Sequence, residues 1–257
     1  MSQAAFACAD HGRAWRVALF AVTASIVSAC SGSPVAPTPL PSSDRPPVLP
    51  VLVVPRIART RFLAFGDSLT GGTTSPANHD DGCGATHVVS VQAPGPSGRR
   101  YTDQAIEMFN EGKGGEAAED GVLRFPGAMQ ADAPEVVILL HGVNDVSFGG
   151  ARSIPRVAGY VQSMARDARQ RGADVIICTE PPHRAGGSRA ADPALISAYN
   201  RALRDVAIAE GAQLVDFEAM VDLGLIGSDG LHPTEDGYAR MAQILFDTLR
   251  HRYELAP

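Results

Sequence analysis

The stretch RFLAFGDSLTGG, residues 61–72, joins an apolar run to a polar, glycine-rich turn. Such a run indicates a buried strand that ends in a loop. Serine and glycine end many strands, so by itself Ser68 is accounted for as a turn residue. A chemical role for Ser68 depends on which residues follow the other strands of the chain.

The rest of the chain alternates short apolar runs with helical patterns. The middle strands are apolar throughout, as strands covered on both faces must be. This alternation predicts an α/β fold in three layers, α/β/α, with a five-stranded parallel sheet and an active crevice at the carboxyl ends of its strands. The candidate strands are 61–65, 105–109, 135–140, 174–179 and 213–217. The candidate helices are 154–171 and 193–210, each followed by a glycine that suits a C-cap, and about 234–252.

Composition bounds the class of protein. The 257 residues, of which 45% are hydrophobic, suit one sizeable α/β domain with a tail. The formal net charge is −6, and the basic residues are scattered, which argues against a nucleic-acid partner. The four cysteines have neither CxxC pairing nor metal-ligand spacing, so neither a zinc site nor a disulfide framework is predicted. They are Cys8, Cys30, Cys83 and Cys178.

The N-terminus has the pattern of a signal peptide. Arg13 and Arg16 precede an apolar run, residues 17–29, that is too short for a comfortable transmembrane helix. The run closes on Val27-Ser28-Ala29-Cys30, which resembles the bacterial lipobox, in which small residues precede a cysteine that is diacylated. We therefore expect residues 1–29 to be a lipoprotein signal peptide and Cys30 to be lipid-modified. The alternative is an ordinary secretory signal with a chance cysteine.

A proline-rich segment follows Cys30. Residues 31–55 contain eight prolines and almost no charge, so they cannot build a core and should form an extended tether. The predicted organisation is a signal peptide over 1–29, a tether over 30–58 and a folded domain over 59–257. A lipid anchor of this kind predicts a bacterial cell-envelope location, membrane-attached and facing the periplasm or the exterior.

Three further motifs follow predicted strands or precede the last helix. They are NEGKGGE at 110–116, HGVND at 141–145 and SDGLHP at 228–233. With GDSL at 66–69 they resemble the four blocks of the GDSL, or SGNH, hydrolase family, in the family's chain order. The resemblance covers Arg61 to the C-terminus. It implies the flavodoxin-like strand order 2-1-3-4-5, hydrolysis of carboxylic esters and no cofactor.

The resemblance implies a role for one residue in each block. Ser68 would be the nucleophile, His232 the base that takes its proton, and Asp229 the residue that orients the imidazole. A serine hydroxyl is a weak nucleophile until an adjacent, oriented base accepts its proton, which explains these residue types. Without the other blocks, Asp229 to Pro233 is equally a turn before a helix.

Ester hydrolysis also requires donors for the developing oxyanion. The resemblance assigns them to the backbone N–H of Ser68, the backbone N–H of Gly115 and the side-chain amide of Asn144. By itself, Asn144 is also explained as an Asx-turn residue after a strand. Substrates in this family include lysophospholipids, short acyl esters and acylated sugars. The rival interpretation is a non-catalytic envelope lipoprotein that uses the same fold as a binding module.

Two other patterns are weaker. The segment 112–117 matches the dinucleotide-binding pattern GxGxxA, but it follows the second strand instead of the first, so we predict no nucleotide site. The segment 79–87 collects histidines, aspartates and a cysteine, yet its spacing fits no metal motif, so a polar loop and no metal are predicted.

Residues 78–98 depart from the family pattern. This position normally carries an amphipathic helix, whereas here Pro94, Pro96 and four glycines prevent one. Two explanations remain open. The segment is a genuine variable loop, or it results from two compensating frame changes near codons 77 and 98 of the underlying DNA.

Overall fold

The computed structural model describes residues 55–73 and 104–256. The predicted signal peptide, Cys30, most of the tether and the segment 78–98 lie outside these residues. In chain order, the strands are β1 (Arg56–Ile57), β2 (Arg61–Gly66), β3 (Glu107–Gly112), β4 (Val136–Leu140), β5 (Asp174–Cys178), β6 (Gln213–Val215) and β7 (Glu254–Leu255). Strands β2 to β6 form one parallel sheet in the order β3-β2-β4-β5-β6. Counted within the sheet, this is the predicted order 2-1-3-4-5, so the expected fold class is confirmed.

Helices alternate with these strands. They are α1 (Ser68–Gly71), α2 (Ala118–Asp132), α3 (Val143–Gly149), α4 (Ile154–Gln170), α5 (Pro193–Glu210), α6 (Phe217–Met220) and α7 (Glu235–Tyr253), with 3₁₀ turns at Gly150–Ser153 and Leu223–Leu225. Within 55–73 and 104–256, no helix is long and apolar enough to cross a membrane.

The two faces of the sheet bury alternate residues of each strand. The Phe65 ring packs edge-on against Phe125 of α2, with 5.0 Å between ring centroids. Ala64 and Ile138, paired across β2 and β4, lie instead with Met241 of α7. Because successive side chains of a strand point to opposite faces, α2 and α7 cover different sides of the sheet. Helices α2, α4 and α5 contact one another in chain order.

The three helices predicted from sequence are confirmed within two residues at each end. Helix α5 ends before Gly211, whose φ of +59° is the left-handed conformation that glycine adopts readily. Helices α2 and α3 were not predicted. Gly121, Pro126 and Gly127 weaken the helical pattern of α2, yet the helix forms because it buries Phe125. At its start, Ala118 N–H also donates a hydrogen bond of 2.7 Å to the Asp145 carboxylate.

Two strands of the sheet differ from their expected bounds by more than one residue. Strand β3 lies at 107–112 instead of 105–109, because Arg61 pairs with Glu107 and the pairing continues to Gly112 at the end of β2. This edge strand is half-buried, so its apolar pattern is weak. Strand β6 stops at Val215, because the Asp216 side chain accepts a hydrogen bond from Ala219 N–H and caps α6.

Strands β1 and β7 form a separate antiparallel pair, in which Arg56 pairs with Leu255 and Ile57 with Glu254. Ile57 is buried in the core, and its backbone exchanges two hydrogen bonds with the Gln104 side chain. Arg56 and Ile57 belong to the segment that was expected to be tether, so packed structure begins before residue 59.

Candidate active site

Ser68 lies where β2 ends. Asp67 caps α1, and its Oδ1 accepts a hydrogen bond of 3.1 Å from Leu69 N–H. Ser68 is therefore the first residue of a helix, where a backbone N–H has no acceptor within the helix. Its side chain points to the C-terminal part of the chain, with Oγ 2.9 Å from Nε2 of His232.

Asp229 lies on the other side of the His232 ring. Its Oδ2 is 2.6 Å from His232 Nδ1, and its Oδ1 accepts hydrogen bonds of 3.0 Å from the N–H groups of Leu231 and His232. Burial acts to raise the pKa of Asp229, but the hydrogen bonds from the His232 ring and these two N–H groups lower it overall. The carboxylate thus shapes the loop and faces the ring that the loop carries.

The Asp229 loop is held from outside by the segment that follows β5. Arg189 N–H donates to the Asp229 carbonyl at 2.8 Å, and Arg184 N–H donates to the Gly230 carbonyl at 2.9 Å. These hydrogen bonds between backbone groups hold the loop in place.

The Ser68 hydroxyl, the His232 imidazole and the Asp229 carboxylate lie in one hydrogen-bonded line. This is the arrangement that can remove a proton from a serine.

Gly115 and Asn144 line a common cleft of about 330 Å³, together with the exposed Phe148. One N–H of the Asn144 amide donates to the Glu116 carbonyl at 2.9 Å, which leaves its second N–H for another acceptor. Gly115 has a φ of +75°, and no acceptor among residues 55–73 and 104–256 binds its N–H. Both groups are thus available as donors.

A buried charged network, absent from the sequence prediction, lies behind these residues. His141 Nδ1 is 3.6 Å from Asp67 Oδ2, and His141 Nε2 is 3.3 Å from Glu116 Oε2. Arg124 binds both oxygens of Glu116, at 3.0 and 2.8 Å, and its guanidinium lies 4.1 Å from the Phe65 ring centroid. The segments that carry Ser68 and Gly115 therefore each contribute a carboxylate to His141.

Burial and charge act in opposite directions within this network. Burial acts to lower the pKa of His141, but the Asp67 and Glu116 carboxylates outweigh it and raise that pKa to about 9. Burial acts to raise the pKa of Glu116, but His141 and Arg124 lower it to about 2. At neutral pH His141 is therefore an imidazolium between two carboxylates.

Glu180 and His183 follow β5 and were also missed from sequence. Glu180 is fully buried, and neither carboxyl oxygen has a hydrogen-bond partner in the described part of the chain. Burial and the nearby Asp67 charge raise its pKa well above the ordinary carboxyl value, against the effect of His141. His183 accepts a hydrogen bond from Ala191 N–H, and burial together with the nearby His232 lowers its pKa to about 4. His183 is therefore neutral.

The sequence predicts the residues of the four motifs, but it does not predict the buried contacts of His141. Ser68, Gly115, Asn144, Asp229 and His232 all follow recognisable strand ends or precede a helix. His141 stands in the HGVND motif, but no spacing links it to Asp67 or Glu116. Among the described residues, no group of three or more histidine, cysteine or acidic side chains is placed to hold a metal ion.

The sequence profile of the GDSL-like lipase/acylhydrolase family matches residues 64–240, which include Ser68, Gly115, Asn144, Asp229 and His232. The chain belongs to this family. It is accordingly a carboxylic ester hydrolase. This GDSL hydrolase is 27% identical over 158 residues to Esterase TesA of Pseudomonas aeruginosa, covering 59% of this chain and 75% of that protein.

Solved structures of the same fold agree with this membership. The lipase/acylhydrolase from Enterococcus faecalis has a TM-score of 0.61 at 20% identity, covering 77% of this chain and 99% of that one. The acetyl xylan esterase AlAXEase has a TM-score of 0.58 at 20% identity, covering 73% of this chain and 98% of that one. At these identities the likeness concerns the fold of the GDSL hydrolase.

Proposed function

We propose that this GDSL hydrolase cleaves carboxylic esters through an acyl-enzyme on Ser68. His232 Nε2 takes the hydroxyl proton as Ser68 Oγ bonds to the ester carbonyl carbon, and returns it to the leaving alcohol. A water molecule, deprotonated by the same nitrogen, then attacks the acyl-enzyme; the bond to Ser68 Oγ breaks, Oγ takes the proton back from His232, and the acid is released. Asp229 keeps the proton of the resting imidazole on Nδ1, so that Nε2 is free to act as the base.

The oxyanion is held by three donors in this mechanism. They are the backbone N–H of Ser68, the backbone N–H of Gly115 and the Asn144 N–H that Glu116 leaves free. Negative charge develops on the carbonyl oxygen only as Ser68 attacks, so donors fixed beforehand stabilise the transition state more than the bound ester. The exposed Phe148 in the same cleft offers an apolar surface to one side of the substrate.

One observation carries the proposal, namely the continuous contact from Ser68 Oγ through the His232 ring to Asp229, at 2.9 and 2.6 Å. A module that only binds its ligand has no need of this line. The experiment is turnover of p-nitrophenyl acetate by wild type, by Ser68→Ala and by Ser163→Ala, a serine whose Oγ bonds only within α4. We expect Ser68→Ala to lose activity and Ser163→Ala to keep it.

The opposite result has a clear meaning. Ser68→Ala activity close to wild type would remove Ser68 as the nucleophile, and a wild type without turnover on any ester would favour the binding-module alternative. A screen of lysophospholipids, short acyl esters and acylated sugars against wild type then identifies the substrate class.

We also propose that a lipid on Cys30 anchors the enzyme to the bacterial envelope. The support is the signal-peptide pattern that ends in a lipobox-like segment, followed by a proline-rich stretch. An enzyme anchored in this way would act on lipid or glycan esters of the envelope while it stays attached to the membrane.

A further inference from the structure

His141 takes no part in the hydrogen-bonded line from Ser68 to Asp229, yet it contacts residues beside two of the three proposed oxyanion donors. On one side it contacts Asp67, which directly precedes Ser68 and caps the helix that Ser68 begins. On the other side it contacts Glu116, which directly follows Gly115. The carbonyl of Glu116 also holds the Asn144 amide. The ring therefore contacts the sequence neighbours of Ser68 and Gly115, and one of these neighbours, Glu116, binds the Asn144 amide.

Close contacts on several sides hold the His141 ring in a fixed position. The His141 side chain is completely buried, and its ring centroid lies 6.0 Å from that of Phe65. Tyr199 OH donates to the His141 carbonyl at 2.7 Å, which fixes the backbone. On α2, a Cβ added at Gly121 would come 2.3 Å from His141 Nε2. The helix thus approaches the ring so closely that only glycine fits.

The two carboxylates beside His141 explain why a positively charged side chain is needed at this position. Asp67 and Glu116 are both buried, and Asp67 Oδ2 has no hydrogen-bond partner in the described residues. Two buried carboxylates have lost hydration and repel each other, and a cation between them offsets both costs. Of the two carboxylates, Arg124 binds Glu116 and not Asp67, so His141 is the group that contacts both.

We propose that His141 is a positioning residue of the oxyanion hole, which fixes the Ser68 N–H relative to Gly115 and Asn144 by contacting Asp67 and Glu116 together. This inference rests on the proposed function. A displacement of about 1 Å among groups that stabilise a transition state lowers the rate by up to roughly 10²-fold. Loss of the ring should therefore reduce kcat and leave KM nearly unchanged.

The test compares four variants with wild type on p-nitrophenyl acetate. His141→Leu removes both contacts, whereas His141→Gln keeps a side-chain donor of similar length for one carboxylate. Gly121→Ala pushes the ring aside without altering any charged group. Val161→Ala is the control, because it removes buried volume from α4 at a distance from the site. Ser68→Ala is measured in parallel.

We expect kcat to fall about 10- to 100-fold in His141→Leu and Gly121→Ala, with KM within about threefold of wild type. His141→Gln should recover part of this loss, and Val161→Ala should retain kcat per folded molecule. A retained kcat in folded His141→Gln and Gly121→Ala would overturn the inference, as would losses that only follow the folded fraction. Activity in Ser68→Ala would instead overturn the proposed function, so the two failures are distinguishable.

Discussion

Asp229 Oδ2 lies 2.6 Å from Nδ1 of His232, three residues further along the same loop. Two backbone N–H groups of that loop bind the other oxygen of the carboxylate. The orientation of the imidazole is therefore set locally, before the loop meets Ser68. The carboxylate therefore binds the backbone of the loop with one oxygen and the ring of His232 with the other.

Asp229→Asn should lower kcat at least about 10²-fold, because an amide N–H facing Nδ1 favours the tautomer whose proton is on Nε2. Nε2 could then no longer accept the Ser68 proton. Steady-state kinetics on p-nitrophenyl acetate measure the effect. Asp222→Asn, an exposed aspartate of the preceding turn, is the matched control and should behave as wild type. An unchanged kcat in Asp229→Asn would contradict the role given to this carboxylate.

If Asn144 is an oxyanion donor, as proposed, Asn144→Ala should lower kcat by on the order of 10²-fold. Asn144→Asp should be at least as slow, because it replaces the donor with a charged acceptor of the same shape. Ser147→Ala, an exposed change on the same helix, controls for disturbance of α3. An effect confined to KM would show that Asn144 binds the substrate instead of the transition state.

The free energy of unfolding should fall as pH rises from about 6.5 to about 9. The pKa of His141 is raised in the folded state, so its stabilising contribution is complete below the unfolded value and is lost as pH passes about 9. The contribution is roughly 3 kcal/mol. Urea unfolding at several pH values measures it. The groups that face His141 are Asp67, Glu116 and Glu180.

The matched pair for this measurement is His141→Gln and His251→Gln. His141→Gln should flatten the decline, whereas His251→Gln, on the exposed side of α7, should leave it unchanged. A decline of the same slope in both variants would assign the pH dependence to another group.

Glu180→Gln should make the protein more stable at pH 8 than wild type, by on the order of 1 kcal/mol. The raised pKa of Glu180 means that its neutral form suits the folded state, so stability is lost as pH rises from the ordinary carboxyl value to the raised one. Glutamine has the same shape and cannot ionise. The gain should shrink toward pH 5, as urea midpoints at both pH values would measure. A variant less stable than wild type at pH 8 would mean that Glu180 is ionised and paired.

Mass spectrometry of the mature protein should find a lipid-modified Cys30 as its first residue. Cys30→Ser should remove the modification and release the protein from membrane fractions, because no second lipid site is proposed. Continued membrane fractionation of Cys30→Ser would rule out this anchor.

The sequence predicts the sheet and the motif residues because both depend on local order. An apolar run followed by a polar turn places Ser68 at a strand end, and the parallel sheet brings other strand ends to the same edge. Helix α2 could not be predicted this way, since Gly121, Pro126 and Gly127 lower its intrinsic propensity and burial compensates. The network around His141 was also hidden. Its contacts join β2, β4 and the start of α2, and long-range pairing leaves no periodic signal in the sequence.

Gly121 illustrates the same point. In the sequence it only weakens a helix, whereas in the structure it makes room for the His141 ring. A residue that is unfavourable for local structure thus serves a contact that only the tertiary fold creates.

The short β1–β7 pair brings both ends of the described domain to one place, where the domain could be attached to a support. Arg56 and Leu255 are neighbours at the end of the sheet where β2 starts, about 20 Å of strand from Gly66 at the crevice end. A pulling force on the chain ahead of Arg56 would load this two-residue pair first and reach the Ser68 loop only through the full length of β2. Fusions or force-probe handles attached at either end of the domain would therefore join it at the end of β2 opposite Ser68.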